Sequence, residues 1–407
     1  MRKILHELNY LKAADFWQAF LMLLSLLPTL IYKIYLKIRK KKVWLVCEDK
    51  NEACDNGFCF FTYLCREHPE LDCRYAISYK SPSLEKVRSV GRTVKYGSIM
   101  HWILYFSCEY NISSQKAGKP GAAVCYALEV FGIIKSRFIF LQHGITLNRG
   151  EWLFYENTKM RLFICGAKPE YEYIKKEFGY PDGHVAYLGF TRFDDYHTAP
   201  PAKRNRVLLM PSWREWIASK NEYSNKYEDT SDFTKTEYYQ KYQELISSPR
   251  LAKILQKYDL ELYFYPHRNM QKYIGLFHTD CERVHIADSK SYSIRELLIS
   301  SAVMITDYSS VALDFAYMQK PVLYYQFDEA RFREAQYAEG YFSYRGAGLG
   351  SVTTTLEETL DSLDAVYARG LSPTPEFLAA HKEFFEIYDK NNCERTYTLL
   401  KNGLKGV

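Results

Sequence analysis

"VMITDYSSVALDFAYMQKPVLYYQFD", residues 303–328, contains the pattern that decides the fold. An apolar run ends at Asp307, small hydroxyl residues follow at Ser309 and Ser310, and a helix-like stretch leads through Pro321 into a second apolar run. Strand, helix and strand in this order predict a parallel α/β unit. Serine is an ordinary N-cap residue, yet a helix start also offers free N–H donors to an anion. The stretch alone leaves both interpretations open.

The same rhythm of apolar runs and helical stretches extends over most of the chain. The runs predicted to be strands are "VWLVCED", "RYAISY", "TVKY", "RFIFLQHG", "RLFICGA", "HVAYLGF", "RVLLMPSW", "LELYFYPH", "RVHIAD", "AVMITD" and "PVLYYQF". The polar, proline-containing segment "YHTAPPAKRNR" suits a linker between two halves. We therefore predict two Rossmann-like domains that face a cleft, at residues 43–198 and 205–372, with a helical segment at 1–42 and a C-terminal helix at 373–407.

Composition limits the classes of function. The chain has 407 residues, of which 47% are hydrophobic and 25% charged, as in a soluble globular protein of two domains. The net charge is only +6, and much of it lies in "KIRKKK" at 37–42, which argues against a broad nucleic-acid-binding face. Ten cysteines without a CxxC pair predict reduced thiols rather than a zinc site or a disulfide framework.

The common nucleotide and metal signatures are missing. No GxGxxG follows the first strand and no GxxxxGK[ST] occurs, so the usual dinucleotide and P-loop sites are not expected. The acidic pair Asp194-Asp195 lacks the spacing of a DxD metal motif. We predict no obligatory cofactor; the sequence leaves a divalent cation open but offers it no clear site.

The N-terminal segment is predicted to associate with a membrane. Apolar residues dominate from Phe16 to Tyr35, interrupted by Gln18, Pro28 and Lys33, and a basic cluster follows. A signal peptide would instead carry its positive charge before the apolar stretch. The pattern favours a helix that lies on an anionic cytoplasmic leaflet. A single spanning anchor helix and a helix docked on the protein's own body are the alternatives.

Polar residues recur where the predicted strands end, which is where parallel sheets bind ligands. His143 lies between a strand and Gly144 and could take a proton from a hydroxyl at neutral pH, or bond a loop carbonyl as a structural histidine. His267 and Arg268 follow another strand and suit phosphate oxygens, or form a solvated pair.

The remaining candidates belong to the same strand ends. Ser309 and Ser310 offer hydroxyls and backbone amides to a phosphate. Asp314 follows Ser310 by one helical turn and could orient a ligand hydroxyl or simply solvate the helix. Arg192 and Arg214 lie near the presumed cleft, the second after the first strand of the second domain.

Together these segments resemble the CDP-glycerol glycerophosphotransferase family of teichoic acid and capsule synthesis. The matching pieces are "QHGITL", "LGFTRFD", "MPSWRE", "YPHRN" and "ITDYSSVALDFAYMQKPVLYY", within about residues 140–328. The resemblance implies a GT-B fold and the transfer of a polyol phosphate from CDP-glycerol or a similar CDP-polyol, with release of CMP. It implies a hydroxyl acceptor on a lipid-linked saccharide or polymer, and an enzyme at the cytoplasmic face of the cell membrane.

The resemblance also implies roles for individual residues. His143 would be the general base, His267 would bind or protonate the donor pyrophosphate, and Ser309 and Ser310 would contact the phosphates. The chain departs from the family pattern at Ile145-Thr146, where Thr-Pro is common, and at Thr191, where Pro is common. Two other functions remain open: a GT-B glycosyltransferase using a nucleotide sugar, and a non-catalytic membrane-bound module that binds a phosphorylated glycan.

Overall fold

The chain forms two compact units. The computed structural model describes residues 12–218 and 233–405. The first unit comprises the chain up to Ile145, Gly150–His197, and the chain from Asp389 onward. The second comprises Thr146–Arg149 and Thr198–Tyr388.

The first unit is built on a seven-stranded parallel sheet in the order β3-β2-β1-β4-β5-β6-β7. Its strands are β1 Val43–Cys47, β2 Asp72–Ile77, β3 Thr93–Lys95, β4 Tyr110–Ser113, β5 Phe138–Phe140, β6 Leu162–Cys165 and β7 Val185–Tyr187. Its helices are α1 Ala13–Ile38, α2 Asn56–Glu67, α3 Leu84–Arg88, α4 Ile99–Ser107, α5 Ala122–Val130, α6 Tyr155–Thr158, α7 Lys168–Glu177 and α8 Phe193–Thr198, with a 3₁₀ turn at Glu151–Leu153. Every residue of β1 is buried, as expected for a parallel sheet covered on both faces.

The second unit repeats this plan with a six-stranded parallel sheet in the order β10-β9-β8-β11-β12-β13. Its strands are β8 Lys203–Leu209, β9 Glu261–Phe264, β10 Val284–Ile286, β11 Ser301–Thr306, β12 Val322–Tyr325 and β13 Ser351–Thr353. Its helices are α9 Glu237–Ile246, α10 Pro249–Lys257, α11 Ile294–Ser300, α12 Val311–Tyr317, α13 Glu329–Ala335, α14 Leu356–Ala368 and α15 Pro375–Phe384, with 3₁₀ segments at Phe233–Lys235 and Arg268–Leu276. The opening stretch of the sequence is thus β11, α12 and β12.

The predicted fold class is confirmed, and each apolar run predicted to be a strand overlaps one. The sequence pattern missed β4 and β13. β4 is short and carries Asn111 and Ser113, so it lacks the apolar signature, although it is buried in the middle of the first sheet. β13 has only three residues and lies at an edge of its sheet.

The end of the chain returns to the first unit as α16, Asn392–Lys401. The carboxylate of Asp194 accepts hydrogen bonds from the backbone amides of Asn392 and Cys393, at 2.8 Å each, and so satisfies the start of this helix. Tyr110 in β4 donates to the carbonyl of Leu400 at 3.0 Å. Asp194 therefore has a structural role in holding α16 against its own unit.

Helix α1 packs on the first unit along one side only. Gln18 accepts a hydrogen bond from Trp102 of α4 at 2.9 Å, and Leu21 and Leu36 enter the same hydrophobic cluster as Trp102. Large apolar side chains cover the rest of its surface. Among the described residues, α1 is the one helix that is long and apolar enough to cross a membrane, with a mean hydropathy of 1.8.

Candidate active site

His143 projects from a turn that buried polar groups hold in place; we call residues 141–144 the His143 turn. Gln142 adopts a left-handed conformation, with φ of 59°, which costs a non-glycine residue on the order of 1–2 kcal/mol. Its side chain is buried and donates to the carbonyl of Ile164 at 2.7 Å and to Glu170 at 3.0 Å. These bonds offset the strain and leave the next residue, His143, on the surface.

Asn56, the first residue of α2, ties this turn to two other strand ends. Its fully buried side chain donates to the carbonyl of Gln142 at 2.8 Å and accepts from the backbone amide of Arg192 at 3.0 Å. Thr191 donates its hydroxyl to the backbone carbonyl of Asn56 at 2.7 Å. Asn56 therefore fixes the geometry beyond β1, β5 and β7 at once.

The ring of His143 is oriented by one backbone contact. Its Nδ1 lies 3.3 Å from the carbonyl oxygen of Ser114, just beyond the end of β4. A carbonyl oxygen can only accept, so this contact assigns the proton of the neutral ring to Nδ1. The lone pair then resides on Nε2, which is the arrangement that a general base requires.

Arg192 is buried and already paired. Its guanidinium lies 3.0 Å from the carboxylate of Asp55, the N-cap residue of α2, and 4.8 Å from the ring centre of Phe190. Only 8% of the residue is exposed. These contacts indicate that Arg192 stabilises the strand ends around Asn56.

The start of α2 shows why the first unit lacks a glycine-rich phosphate loop. The carboxylate of Glu48, which follows β1, accepts hydrogen bonds from the backbone amides of Cys54, Asp55 and Phe58, at 2.9, 3.1 and 2.7 Å. In many dinucleotide-binding folds a phosphate occupies the equivalent helix N-terminus. Here the chain fills that position with its own side chain.

In the second unit, three adjacent strand ends meet in a buried ionic cluster, formed by Arg214, Asp307 and Asp328. Arg214 lies 2.9 Å from Asp307 and binds Asp328 through two nitrogens, at 2.7 and 3.0 Å. Tyr242 donates to Asp307 at 3.0 Å and Tyr308 donates to Asp328 at 3.2 Å. The residues follow β8, β11 and β12, which are neighbours in the sheet.

The motif suggested that Arg214 lies at the presumed cleft, but the structure places its side chain in the protein interior. It is fully buried, so its guanidinium contacts carboxylates inside the protein. Burial alone would lower the pKa of Arg214, but the charges of Asp307 and Asp328 outweigh it and raise the pKa above its ordinary value. Removing one member of such a buried ion pair lowers the free energy of unfolding by about 3–5 kcal/mol. The cluster thus fixes the strand ends that precede the Ser309-Ser310 turn.

His267 lies at the end of the neighbouring strand β9. Its backbone amide donates to the carbonyl of Pro211 at 3.0 Å, and its ring lies 6.3 Å from that of Trp213. The backbone amide of Asn269 donates to Nδ1 at 3.2 Å, so the proton of the neutral ring resides on Nε2. Burial, with the charge of Arg268 adding to it, lowers the pKa of His267 to about 4. At neutral pH His267 is an uncharged hydrogen-bond donor.

The other candidates of the second unit divide into surface and interior residues. Arg268 is exposed and begins a 3₁₀ segment. Ser309 and Ser310 are partly exposed, and the hydroxyl of Ser309 accepts from the amide of Val311 at 3.3 Å, so it serves as a local cap. Asp314 is only 3% exposed within α12. Among residues 12–218 and 233–405, no group of three or more metal-ligating side chains is present.

The sequence pattern did not single out several residues that shape the site. Asp307 and Asp328 each end an apolar run, the first within the quoted stretch and the second at its last position. Their position at the end of a predicted strand could have identified them as site residues, since the other candidates also follow strands. Asn56 lies at a helix start and Tyr242 inside a helix, so their contacts with residues far along the chain left no local pattern.

Each unit is an α/β unit built on a parallel sheet, and each has polar side chains beyond the carboxyl ends of its strands. This architecture is that of an α/β protein of the GT-B type. The chain belongs to the CDP-Glycerol:Poly(glycerophosphate) glycerophosphotransferase family, which it matches over residues 30–402. This match confirms the resemblance seen in the motifs.

Curated relatives come from teichoic acid synthesis. Over 381 residues the chain is 29% identical to the minor teichoic acid biosynthesis protein GgaB of Bacillus subtilis (strain 168), covering 92% of this chain and 41% of GgaB. A 44-residue stretch is 41% identical to the teichoic acid glycerol-phosphate primase of the same organism, covering 11% of this chain and 12% of the primase. The chain thus spans less than half the length of either relative.

Solved structures support the fold. The wall teichoic acid polymerase TagF aligns with a TM-score of 0.63 at 15% identity, covering 97% of this chain and 99% of that one. A putative UDP-N-acetylglucosamine 2-epimerase from Listeria monocytogenes aligns with a TM-score of 0.55 at 12% identity, covering 90% and 98%. At these identities the likeness establishes the architecture alone.

Proposed function

We propose that the chain transfers glycerol phosphate, or a related polyol phosphate, from CDP-glycerol to a hydroxyl of a lipid-linked or polymeric acceptor. The observation that carries this proposal is the orientation of His143, an exposed ring whose Nδ1 is held by the carbonyl of Ser114. Membership of the glycerophosphotransferase family supports the choice of donor. TagF, whose fold the chain shares, has been solved after a soak with CDPG.

In the proposed reaction His143 acts as general base. The proton of the acceptor hydroxyl passes to Nε2 of His143 while the hydroxyl oxygen attacks the β-phosphorus of CDP-glycerol. The bond from that phosphorus to the CMP oxygen breaks, and CMP leaves with the electron pair. A new phosphodiester joins glycerol phosphate to the acceptor. Such proton transfer contributes on the order of 10²–10⁴-fold to the rate.

The second unit supplies donors for the phosphates. The Nε2–H of His267 and the hydroxyls of Ser309 and Ser310 would bond phosphate oxygens, and Arg268 would add an exposed positive charge. Because His267 is neutral at pH 7 in the free chain, we assign it the role of a hydrogen-bond donor to the diphosphate. Negative charge on a bound donor would raise the pKa of His267 again.

The buried residues act indirectly in this proposal. Arg214 holds Asp307 and Asp328 and so fixes the strand ends from which Ser309 and Ser310 extend. The guanidinium of Arg192 pairs with Asp55, the residue before Asn56, and so supports the start of α2 that holds the His143 turn. Asp314 is buried, which suits packing of α12 better than contact with a ligand hydroxyl. Both arginines are positioning residues rather than phosphate ligands.

We further propose that the enzyme lies on the cytoplasmic face of the membrane through α1. Exposed apolar residues cover the outer side of this helix, among them Leu27, Leu30 and Ile31, at 69, 57 and 62%. Its other side is held by α4, so α1 lies along the protein rather than extending away from it. A lipid-linked acceptor would then be delivered at the same surface.

A donor screen tests the transferase. The purified chain is incubated with lipid-linked saccharide acceptors and with CDP-glycerol, CDP-ribitol or nucleotide sugars, and CMP release and product mass are measured. We expect CMP and a phosphodiester product only with CDP-polyols. Turnover restricted to a nucleotide sugar would identify a glycosyltransferase, and ligand binding without turnover would identify a non-catalytic module.

A further inference from the structure

Besides the outer side of α1, the first unit has exposed apolar side chains at the turn that follows α5. Phe131 and Ile133 are 51% and 67% exposed. Gly132 between them adopts a left-handed conformation, with φ of 72°, and no atom would contact a β-carbon there. The next residue, Ile134, turns inward and packs against the core. The turn therefore exposes the side chains of Phe131 and Ile133, while Ile134 packs it against the first unit.

This turn lies at the same end of the unit as the C-terminal half of α1. At the other end, the side chain of Gln18 lies against Gly121, immediately before α5. Further along, Leu36 of α1 and Ile134 belong to one hydrophobic cluster. Burial, with the charge of nearby Arg137 adding to it, lowers the pKa of Lys33. Helices α1 and α5 therefore run in the same direction, and the turn lies toward the C-terminal half of α1.

In the middle of α1, between the buried Leu21 and Leu36, the polarity is reversed relative to a helix on a water-exposed surface. Its buried positions include Ser25 and Thr29, whereas Leu27 and Ile31 are exposed. Soluble helices bury their large apolar side chains. Small and hydroxylated residues at a helix contact, with large apolar residues outside, are typical of helices that face lipid. The outer surface thus fits acyl chains.

The charges around this surface fit an anionic headgroup layer. Lys135 and Arg137 follow the turn and are exposed. The end of α1 is followed by a further exposed basic group, at Arg39, Lys40 and Lys41. Basic residues beside an apolar surface each contribute about 1 kcal/mol of attraction to an anionic leaflet. Apolar side chains and cations therefore occur together at the same end of the unit.

We propose that Phe131 and Ile133 form a second membrane-insertion point, which with the outer side of α1 seats the first unit on an anionic bilayer in one orientation. This inference rests on the proposed membrane attachment through α1. Two separate insertion points define a plane of contact, whereas a helix alone would leave the unit free to rotate about its axis. The turn would thereby fix how the unit meets the membrane surface.

Flotation with vesicles tests the proposal on the full chain. Vesicles of phosphatidylcholine with phosphatidylglycerol are mixed with wild type, with the double variant Phe131→Ser/Ile133→Ser, and with Leu378→Ser. Leu378 is the matched control because it is a large aliphatic residue, 43% exposed, on the second unit. We expect the double variant to lower the partition coefficient on the order of tenfold, since two partly inserted side chains are lost. Leu378→Ser should float like wild type.

The outcomes separate the two proposals. Equal flotation of the double variant and wild type would overturn the insertion point while leaving α1 as the attachment. Failure of wild type to float would show that the attachment itself is wrong. A dimer that forms without vesicles and is lost in the double variant would mean that a second copy covers this surface, which also overturns the proposal. Circular dichroism and unchanged CMP release in detergent would show that the variant is folded.

Discussion

The turns that carry His143 and His267 occupy corresponding places, each directly after a strand of a parallel sheet, yet they present opposite chemistry. A carbonyl faces Nδ1 of His143, so its Nε2 carries the lone pair. An amide N–H faces Nδ1 of His267, so its Nε2 carries the proton. One ring is prepared to accept a proton and the other to donate a hydrogen bond. A single backbone group decides the difference.

The two turns also differ in what lies behind them. The His143 turn is held by neutral amide side chains, Asn56 and Gln142, which bond backbone carbonyls. Near His267 lies the ionic cluster of Arg214, Asp307 and Asp328, and the charge of Asp307 acts on the ring. Burial and the charge of Arg268 keep His267 uncharged. The surroundings thus fit the two roles separately.

Replacing His143 should have the largest effect. His143→Ala removes the proposed base, and we expect turnover of CDP-glycerol to fall by on the order of 10²-fold or more. His184→Ala is the matched control, because its Nδ1 also lies against a carbonyl, that of Met160, at 3.0 Å. That variant should keep most of its turnover in the CMP-release assay. If both variants were equally active, His143 would be a structural histidine.

Substitution by glutamine should distinguish the role of His267 from that of His143. Its side-chain amide can place an N–H close to the position of Nε2, but it cannot act as a base. We expect His267→Gln to keep turnover within about tenfold of wild type, and His267→Ala to lose on the order of 10²-fold. At position 143, glutamine and alanine should be equally damaging. Equal loss in His267→Gln and His267→Ala would contradict the role of a neutral donor and favour proton transfer by His267.

The smallest effect is expected from the ionic cluster that supports the Ser309-Ser310 turn. Tyr242→Phe removes a hydroxyl that donates to Asp307, and we expect it to lower the free energy of unfolding by about 1–3 kcal/mol. Turnover should fall several-fold because the Ser309-Ser310 turn loosens. Tyr325→Phe is the control: its ring lies 6.1 Å from that of Tyr242, and its buried hydroxyl bonds no described residue.

Denaturant titration and CMP release measure both variants. Tyr325→Phe should leave stability and turnover unchanged or slightly raised, since an unsatisfied buried hydroxyl is removed. Equal losses in the two variants would mean that the ring packing matters and the bond to Asp307 does not.

Much of the architecture could be predicted from sequence because buried parallel strands are apolar over their whole length. The same rule explains the failure at β4, where Asn111 and Ser113 interrupt the apolar signature, and at β13, where Val352 is the one apolar residue. The histidines and serines could be proposed because they end strands. The support from Asn56 and Tyr242 could not, since those side chains bond residues 86 and 65 positions away.

The sequence by itself determined the two parallel α/β halves, the strand ends where chemistry would lie, the family motifs and the apolar character of α1. Only the tertiary structure decided which nitrogen of each histidine carries the proton, and that Arg214 is interior while Arg268 is exposed. The physical reason is that a tautomer or a buried charge depends on its spatial partners. Ser114 is 29 residues from His143, and Asp328 is 114 residues from Arg214.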